Sequence, residues 1–191
     1  MSTAESAVAG YITGTWDIDP VHSEVSFVVR HMGVSKVRCR FDEFQGVIVL
    51  EDDPFRSTAE ATIEAASVNT NQEQRDQHVR SADFFDAENH PQITFRSTGV
   101  RPEQKGRFLL DGELTIRATT KAVTLEMELN GFGPDPYGGT RVGFSARGAI
   151  NRQDFGVSYN GPIPGADNAM VLSDAVTLNI EVEAVRRDPA A

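Results

Sequence analysis

The chain has 191 residues, long for an average domain but ordinary for an all-β barrel built as one unit. It carries 18 Lys and Arg against 28 Asp and Glu, a formal net charge of −10. That field repels phosphate backbones and anionic lipid surfaces at long range, so no nucleic-acid partner is expected. The lone cysteine, Cys39, excludes an intrachain disulfide, and a chain of this length buries roughly 70% of its unfolded surface without one.

The first residues, MSTAESAVAGYITGTW, show no basic segment leading into an apolar run. No later stretch approaches the roughly eighteen consecutive apolar residues of a bilayer span. A cytoplasmic protein without stable membrane insertion is expected, folded as one domain over 1–191, with about 1–12 and 187–191 flexible.

Period-two alternation then recurs along the chain, the signature of strands with one buried face. A short piece near Thr13 to Ile18 comes first, and next Val25, Phe27 and Val29 alternate with the mostly polar Glu24, Ser26 and Arg30. Phe44, Ile48 and Leu50 mark another strand, followed by Ala59, Ala61, Ile63 and Ala65. Between Thr70 and Phe85 the period changes: Val79, Ala82 and Phe85 fall at helical spacing, and Thr70 with Glu73 fits a capping box. Asp76 and Arg80, four apart, can pair on the surface of this helix.

Alternation resumes with Ile93 and Phe95, then Phe108, Leu110, Leu114 and Ile116, then Val123, Leu125, Met127 and Leu129. Val142, Phe144, Ala146 and Ile150 form the next strand, and Val176, Leu178, Ile180 and Val182 the last. Turns stand at Asp52-Asp53-Pro54, over 102–106, and over the Gly- and Pro-rich 133–139. Connections this short join antiparallel neighbours. Eight or nine such strands close most economically into a barrel, which removes exposed edges, with a two-sheet sandwich as the alternative architecture. The stretch from Arg152 to Val171 holds Gly156, Gly161, Pro162, Pro164 and Gly165 and has no period. A loop of that length in a small domain reads as a lid or portal rim, or else as a mobile surface excursion.

Inward residues of a small barrel are by default its core. Here the small inward residues Ala59, Ala61, Ala65, Ala146 and Gly148 leave room for a guest. The parity assigns Phe27, Val29, Ile48, Ile63, Phe95, Leu114, Leu125, Phe144 and Leu178 to the lining. His31 shares the inward parity and could donate to a headgroup. Arg30, Arg152 and Tyr159 are further headgroup candidates from their places beside loops.

The polar cluster Arg75, Asp76, His78, Arg80 and Asp83 fits a helix-docking role better than catalysis. His22, His31, His78 and His90 are scattered without metal-site spacing, so no metal and no cofactor are expected. Nucleophile elbows, phosphate loops and dinucleotide fingerprints are missing, and Cys39 would point away from Arg38 and Arg40 if all three lie in one strand. No catalytic residue is assigned.

Four segments together resemble the YceI-like family: WDIDPVHSEVSFVVRHMGVSKV, SVNTNQEQRDQHVRSADFFDAENHPQITFRST, GELTIRATTKAVTLEMELNGF and INRQDFGV. The resemblance runs from Trp16 to Val185, and the second segment is the most specific. It implies an extended, antiparallel, eight-stranded lipocalin-like barrel, all-β with one flanking helix, that holds a long-chain lipid, above all a polyisoprenoid. Three positions depart from the family pattern, where Cys39 and Ala118 stand for glycines and Ala122 for a proline. Two other readings stay open: an enzyme acting on the same kind of lipid, and a stress-related interaction module with a solid core. The oligomeric state, a homodimer included, is left open by the sequence.

Overall fold

The computed structural model describes residues 10–104, 106–167 and 169–187. Eleven strands form among them: β1 (Gly14–Ile18), β2 (Glu24–His31), β3 (Ser35–Phe41), β4 (Phe44–Leu50), β5 (Thr58–Glu64), β6 (Val68–Asn69), β7 (Gln92–Gln104), β8 (Arg107–Ile116), β9 (Thr119–Pro134), β10 (Thr140–Asn151) and β11 (Leu172–Arg186). One helix, α1 (Glu73–Arg80), follows β6. The order β1-β4-β5-β7-β8-β9-β10-β11 closes through a second pairing of β1 with β11, giving an eight-stranded antiparallel barrel.

Two strand positions of the barrel are bent, and the strands beyond the alternation count are β3 and the two-residue β6 paired to it. β1 and β2 lie end to end along β11: Trp16 faces Arg186, while Glu24 to His31 run opposite Glu181 to Leu172. At the break, the Glu183 carbonyl accepts from the Asp19 amide at 2.8 Å and the Ser23 hydroxyl at 3.1 Å. β3 and β4 are similarly divided at Asp42 and Glu43, which exchange backbone bonds with Ser67 and Glu64. β3 itself was not among the expected strands, although Val37, Cys39 and Phe41 alternate with Lys36, Arg38 and Arg40.

Two bulges reset which residues point inward. Register shifts between Ser97 and Gly99 on β7, and the inward series moves from Ile93 and Phe95 to Val100. On β9, Leu129 pairs with Phe144 but Gly131 with Gly143, so Asn130 is the extra residue. Phe132 thereby turns inward, 5.6 Å from Trp16 and 5.8 Å from Tyr11 between ring centres. Glycine is required where strands carry large neighbours: a Cβ at Gly112 would overlap the Phe95 ring, and one at Gly148 would lie 2.6 Å from Leu125.

Two packed clusters cap the barrel. One joins Trp16, Ile48, Leu50, Val142, Phe144 and Ala184, and Tyr11 and Ile12 pack against it. The other joins Phe41, Ile63, Ala65, Val68, Ile93, Leu114, Phe155 and Val157, with Val79, Phe84 and Phe85 laid over it from α1 and the turns after it. Each large apolar side chain fully buried there contributes about 1.5–3 kcal/mol. Of the end segments expected to be flexible, 1–9 and 188–191 lie outside the described residues.

The helix is shorter than the expected 70–85, and the expected capping box does not form. Thr70 is itself buried, and its amide and hydroxyl both donate to Asp76 Oδ1, at 2.7 and 2.6 Å. Gln72 takes the N-cap position instead, accepting from the Arg75 amide. With Asp76 turned inward to Thr70, the expected pair with Arg80 is replaced by one between Arg80 and Glu73 at 3.4 Å. Ser81 ends the helix, and Asp86 in the left-handed region (φ 49°) turns the chain toward β7.

The family departures fall in three settings. At the β8–β9 turn the left-handed residue is Arg117 (φ 56°), so Ala118 needs no glycine. Ala122 lies exposed opposite Glu113, and Cys39 faces the barrel interior.

Candidate functional site

Between the two clusters the barrel is not filled. A cavity of about 690 Å³ runs through it. Its lining extends along β11 from Leu172, past an irregularity before Val176, through Leu178 and Ile180 to Val182. Phe27, Val29, Phe95, Leu178 and Ile180 all point inward yet are only half-buried, because their remaining surface faces this space. Trp16, Val68, Val142 and Ala184, in the end clusters, are sealed at 0–1% exposure.

All nine residues assigned to the lining by parity border the cavity: Phe27, Val29, Ile48, Ile63, Phe95, Leu114, Leu125, Phe144 and Leu178. Ala61 and Ala146 border it midway, belonging to neither packed cluster. Cys39 also faces in, and burial pushes its thiol up to about 11, which keeps it protonated and unreactive at neutral pH.

Polar side chains gather at the end beside α1 and the 152–171 loop, where His31, Ser35, Thr70, Arg75, His78 and Tyr159 border the space. At the opposite end Ser57, Thr58 and Glu60 border it. His31 is the last residue of β2, opposite Ser35, and the β2 parity carries it inward. Tyr159 meets His78 edge-to-face and Phe84 at a tilt, with centroids 4.9 and 5.2 Å away, so three rings join the loop to the helical segment across the mouth. His78 shares a 2.8 Å hydrogen bond with Asp83. Arg75 Nε donates to Thr70 Oγ1 at 2.8 Å, and its NH2 to the Thr70 carbonyl at 2.7 Å.

Arg152 reaches the cavity but its donors are committed elsewhere. Nε donates to the Ser173 carbonyl at 2.9 Å, NH1 to the carbonyls of Val157 and Tyr159 at 2.8 Å each, and NH2 to Asp174 at 3.3 Å. At 5% exposure it is the buried pin of the long loop. The loop is therefore tied down at its root, with Phe155 and Val157 driven into the core. Arg30 points outside the cavity and borders a shallow surface depression with Gly33, Asn160 and Met170.

Sequence reading missed the contribution of the helical segment to this site. Arg75, His78, Phe84 and Phe85 all border the cavity, and Phe85 meets Phe27 edge-on at 6.1 Å. Positions 75, 78, 79 and 82 share a helical face, so the spacing carried part of the signal; docking decided that this face looks into the barrel.

Folding also gathers Asp19, His22 and Glu183 within 4.8 Å of one another, a grouping that the chain positions do not announce. Arg141 occupies its centre, NH1 donating to Asp19 and to Glu183 at 2.7 Å each. That guanidinium, helped by His22, holds the Asp19 carboxyl at about 2. The cluster is thus an ion-pair brace between β10, β11 and the β1–β2 break, with Arg141 shared among Asp19, Asp135 and Glu183.

No helix among the described residues is long and apolar enough to cross a membrane. The family profile described as the YceI-like domain matches residues 16–184. Protein YceI of Escherichia coli O157:H7 is 38% identical over 189 residues, covering 98% of this chain and 93% of that protein. BcnA of Burkholderia cenocepacia shares the fold with a TM-score of 0.75 at 23% identity, over 87% of this chain and 98% of that one. A domain of Saccharophagus degradans, described as polyisoprenoid-binding and implicated in plant cell wall breakdown, superposes with a TM-score of 0.68 at 14% identity, over 92% of this chain and 100% of its own.

Proposed function

The chain belongs to the YceI-like family, and on that premise we propose that it binds, and carries or stores, one long apolar molecule inside the barrel. A polyisoprenoid, an isoprenoid quinone or a similar amphiphile fits. The observation that carries the reading is the unfilled, apolar-lined cavity of about 690 Å³, which opens beside α1 and the 152–171 loop. The polyisoprenoid-binding description of the Saccharophagus degradans domain supports the ligand class.

Volume sets the scale of the guest. At about 30 Å³ per methylene-sized group, 690 Å³ holds on the order of twenty carbons, about four isoprene units. Each unit moved from water into an apolar tube contributes on the order of 3 kcal/mol, so tight binding needs no polar code along the chain. A longer chain would leave its excess at the mouth. In this reading His31 and Tyr159 meet the headgroup, joined by Arg75 and His78, while Arg152 acts by holding the loop. The role assigned is binding, with no covalent step.

Native mass spectrometry of freshly purified protein, followed by denaturing extraction, tests the proposal. The expected result is a one-to-one adduct that releases an isoprenoid-type lipid. Protein that carries no lipid and also gives no saturable response to a fluorescent polyene fatty acid would refute it. Chemical conversion of the bound lipid on incubation would shift the assignment from carrier to enzyme.

A further inference from the structure

We infer that the β2–β3 hairpin and the adjoining loop form a docking face for an anionic bilayer surface, through which the guest enters and leaves. The inference rests on the binding role proposed above and adds the partner. Apolar side chains are exposed where a water-soluble barrel has no structural use for them. Val34 is 83% exposed, and Met32, Met170 and Tyr159 are 43%, 47% and 45% exposed.

These residues are one patch. The Met32 amide donates to the Val171 carbonyl at 2.7 Å, locking the hairpin tip beside Met170. Asn160, next to Tyr159, accepts from the Leu172 amide at 2.9 Å and donates to the Leu172 carbonyl at 2.7 Å. The patch is continuous with the mouth, since His31, Ser35, Tyr159, Val171 and Leu172 all border the cavity. Met32 also holds a left-handed backbone (φ 53°) that a β-carbon disfavours, in a turn where glycine or asparagine would serve folding better.

Charge selects the partner. The molecule as a whole is at −10, yet the outer face of this hairpin is basic. Arg30 pairs across the strands with Lys36, and Arg38 stands two positions further along the same face. Among the described residues none of these three makes an ion pair, whereas nearby Asp174 is engaged by Arg152 and Asp83 by His78. The loop itself carries Asp154 and Asp167; further along the strip Arg40, opposite Ser26, is paired with Asp42, and Glu24 opposite Glu181 lies at the far end of β2. Apolar side chains at a tip flanked by cations match a bilayer interface rich in anionic headgroups. A guest of about twenty carbons also needs such contact, because passage through water would expose every methylene buried in the cavity.

The experiment uses the full chain, stripped of lipid, with vesicles of phosphatidylcholine alone or containing phosphatidylglycerol. Flotation is expected with the mixed vesicles and much less without the anionic lipid. Val34→Asp should weaken flotation on the order of tenfold by placing a charge at the buried tip, and K36E/R38E should abolish the preference for phosphatidylglycerol. None of these positions borders the cavity. Both variants should therefore bind a polyene fatty acid added from ethanol like the parent chain, while transfer of that probe from mixed vesicles slows on the order of tenfold. Probe binding without flotation by the parent chain overturns the inference and leaves the carrier role standing. Flotation by the parent chain, lost in both variants, without probe binding does the reverse. Parent-like flotation of both variants, or burial of the patch by a second copy seen in light scattering, also overturns it.

Discussion

Replacing Ala146 by Phe tests the empty interior from both sides at once. Ala146 borders the cavity on β10, between Met127 and Ile180, outside both packed clusters. The new ring adds six carbons and takes up roughly 180 Å³, about a quarter of the 690 Å³ available. A guest shortened by six buried carbons loses about 5 kcal/mol, three to four orders of magnitude in Kd. The lipid-free protein should respond the other way. An apolar cavity stays dry, so a side chain that fills part of it stabilises by about 1–2 kcal/mol, which raises Tm by roughly 2–8 °C for a chain this long. Were the interior already packed, the same ring would overfill it at a cost of about 1–3 kcal/mol and Tm would fall. Calorimetry of delipidated protein, paired with titration of a polyene fatty acid, reads both quantities. A lowered Tm with unchanged affinity would refute the reasoning about free volume.

Other consequences follow from the same geometry. Cys39, its thiol held at about 11 by burial, should react with a thiol reagent at neutral pH far more slowly than in denaturant, and more slowly still with probe bound; labelling at the rate of a free thiol would contradict its placement. Arg152→Met removes the donors to the loop carbonyls of Val157 and Tyr159 and to the Ser173 carbonyl of β11 and should cost about 3 kcal/mol, seen as a thermal midpoint roughly 6–12 °C lower and faster probe exchange; an unchanged melt would show that the loop needs no pin. Asp19 is lowered from 3.8 to about 2, chiefly by its hydrogen bond from Arg141, so the folded state favours the ionised carboxylate. Its contribution is complete above about pH 4 and is lost as pH falls toward 2. Urea unfolding across that window should fall more steeply for the parent chain than for Arg141→Met, and parallel slopes would remove Asp19 from the account.

Much of this architecture is legible in the residues themselves. Alternation along the chain marks the strands, and short polar turns make them antiparallel. The same parity places Phe27, Ile63, Leu125 and Leu178 on the face that borders the cavity. The signal is local, because side chains two apart along a strand share a side whatever the rest of the molecule does. Val37, Cys39 and Phe41 carried that signal too, in a strand lying between a tight turn and the bend at Asp42 and Glu43.

Tertiary structure decided what local pattern cannot encode. Bending of two strand positions and the bulges near Gly99 and Asn130 arise from fitting long strands around a closed barrel, and they moved Val100 and Phe132 to the inside. Burial of Thr70 and Asp76 replaced the expected helix cap and turned Arg75 and His78 toward the mouth. The cavity itself is a difference between the volume that the closed sheet encloses and the volume that its inward side chains occupy. Side-chain identity fixes the second quantity, but strand tilt and closure set the first, so the space for a guest exists only once the barrel has formed.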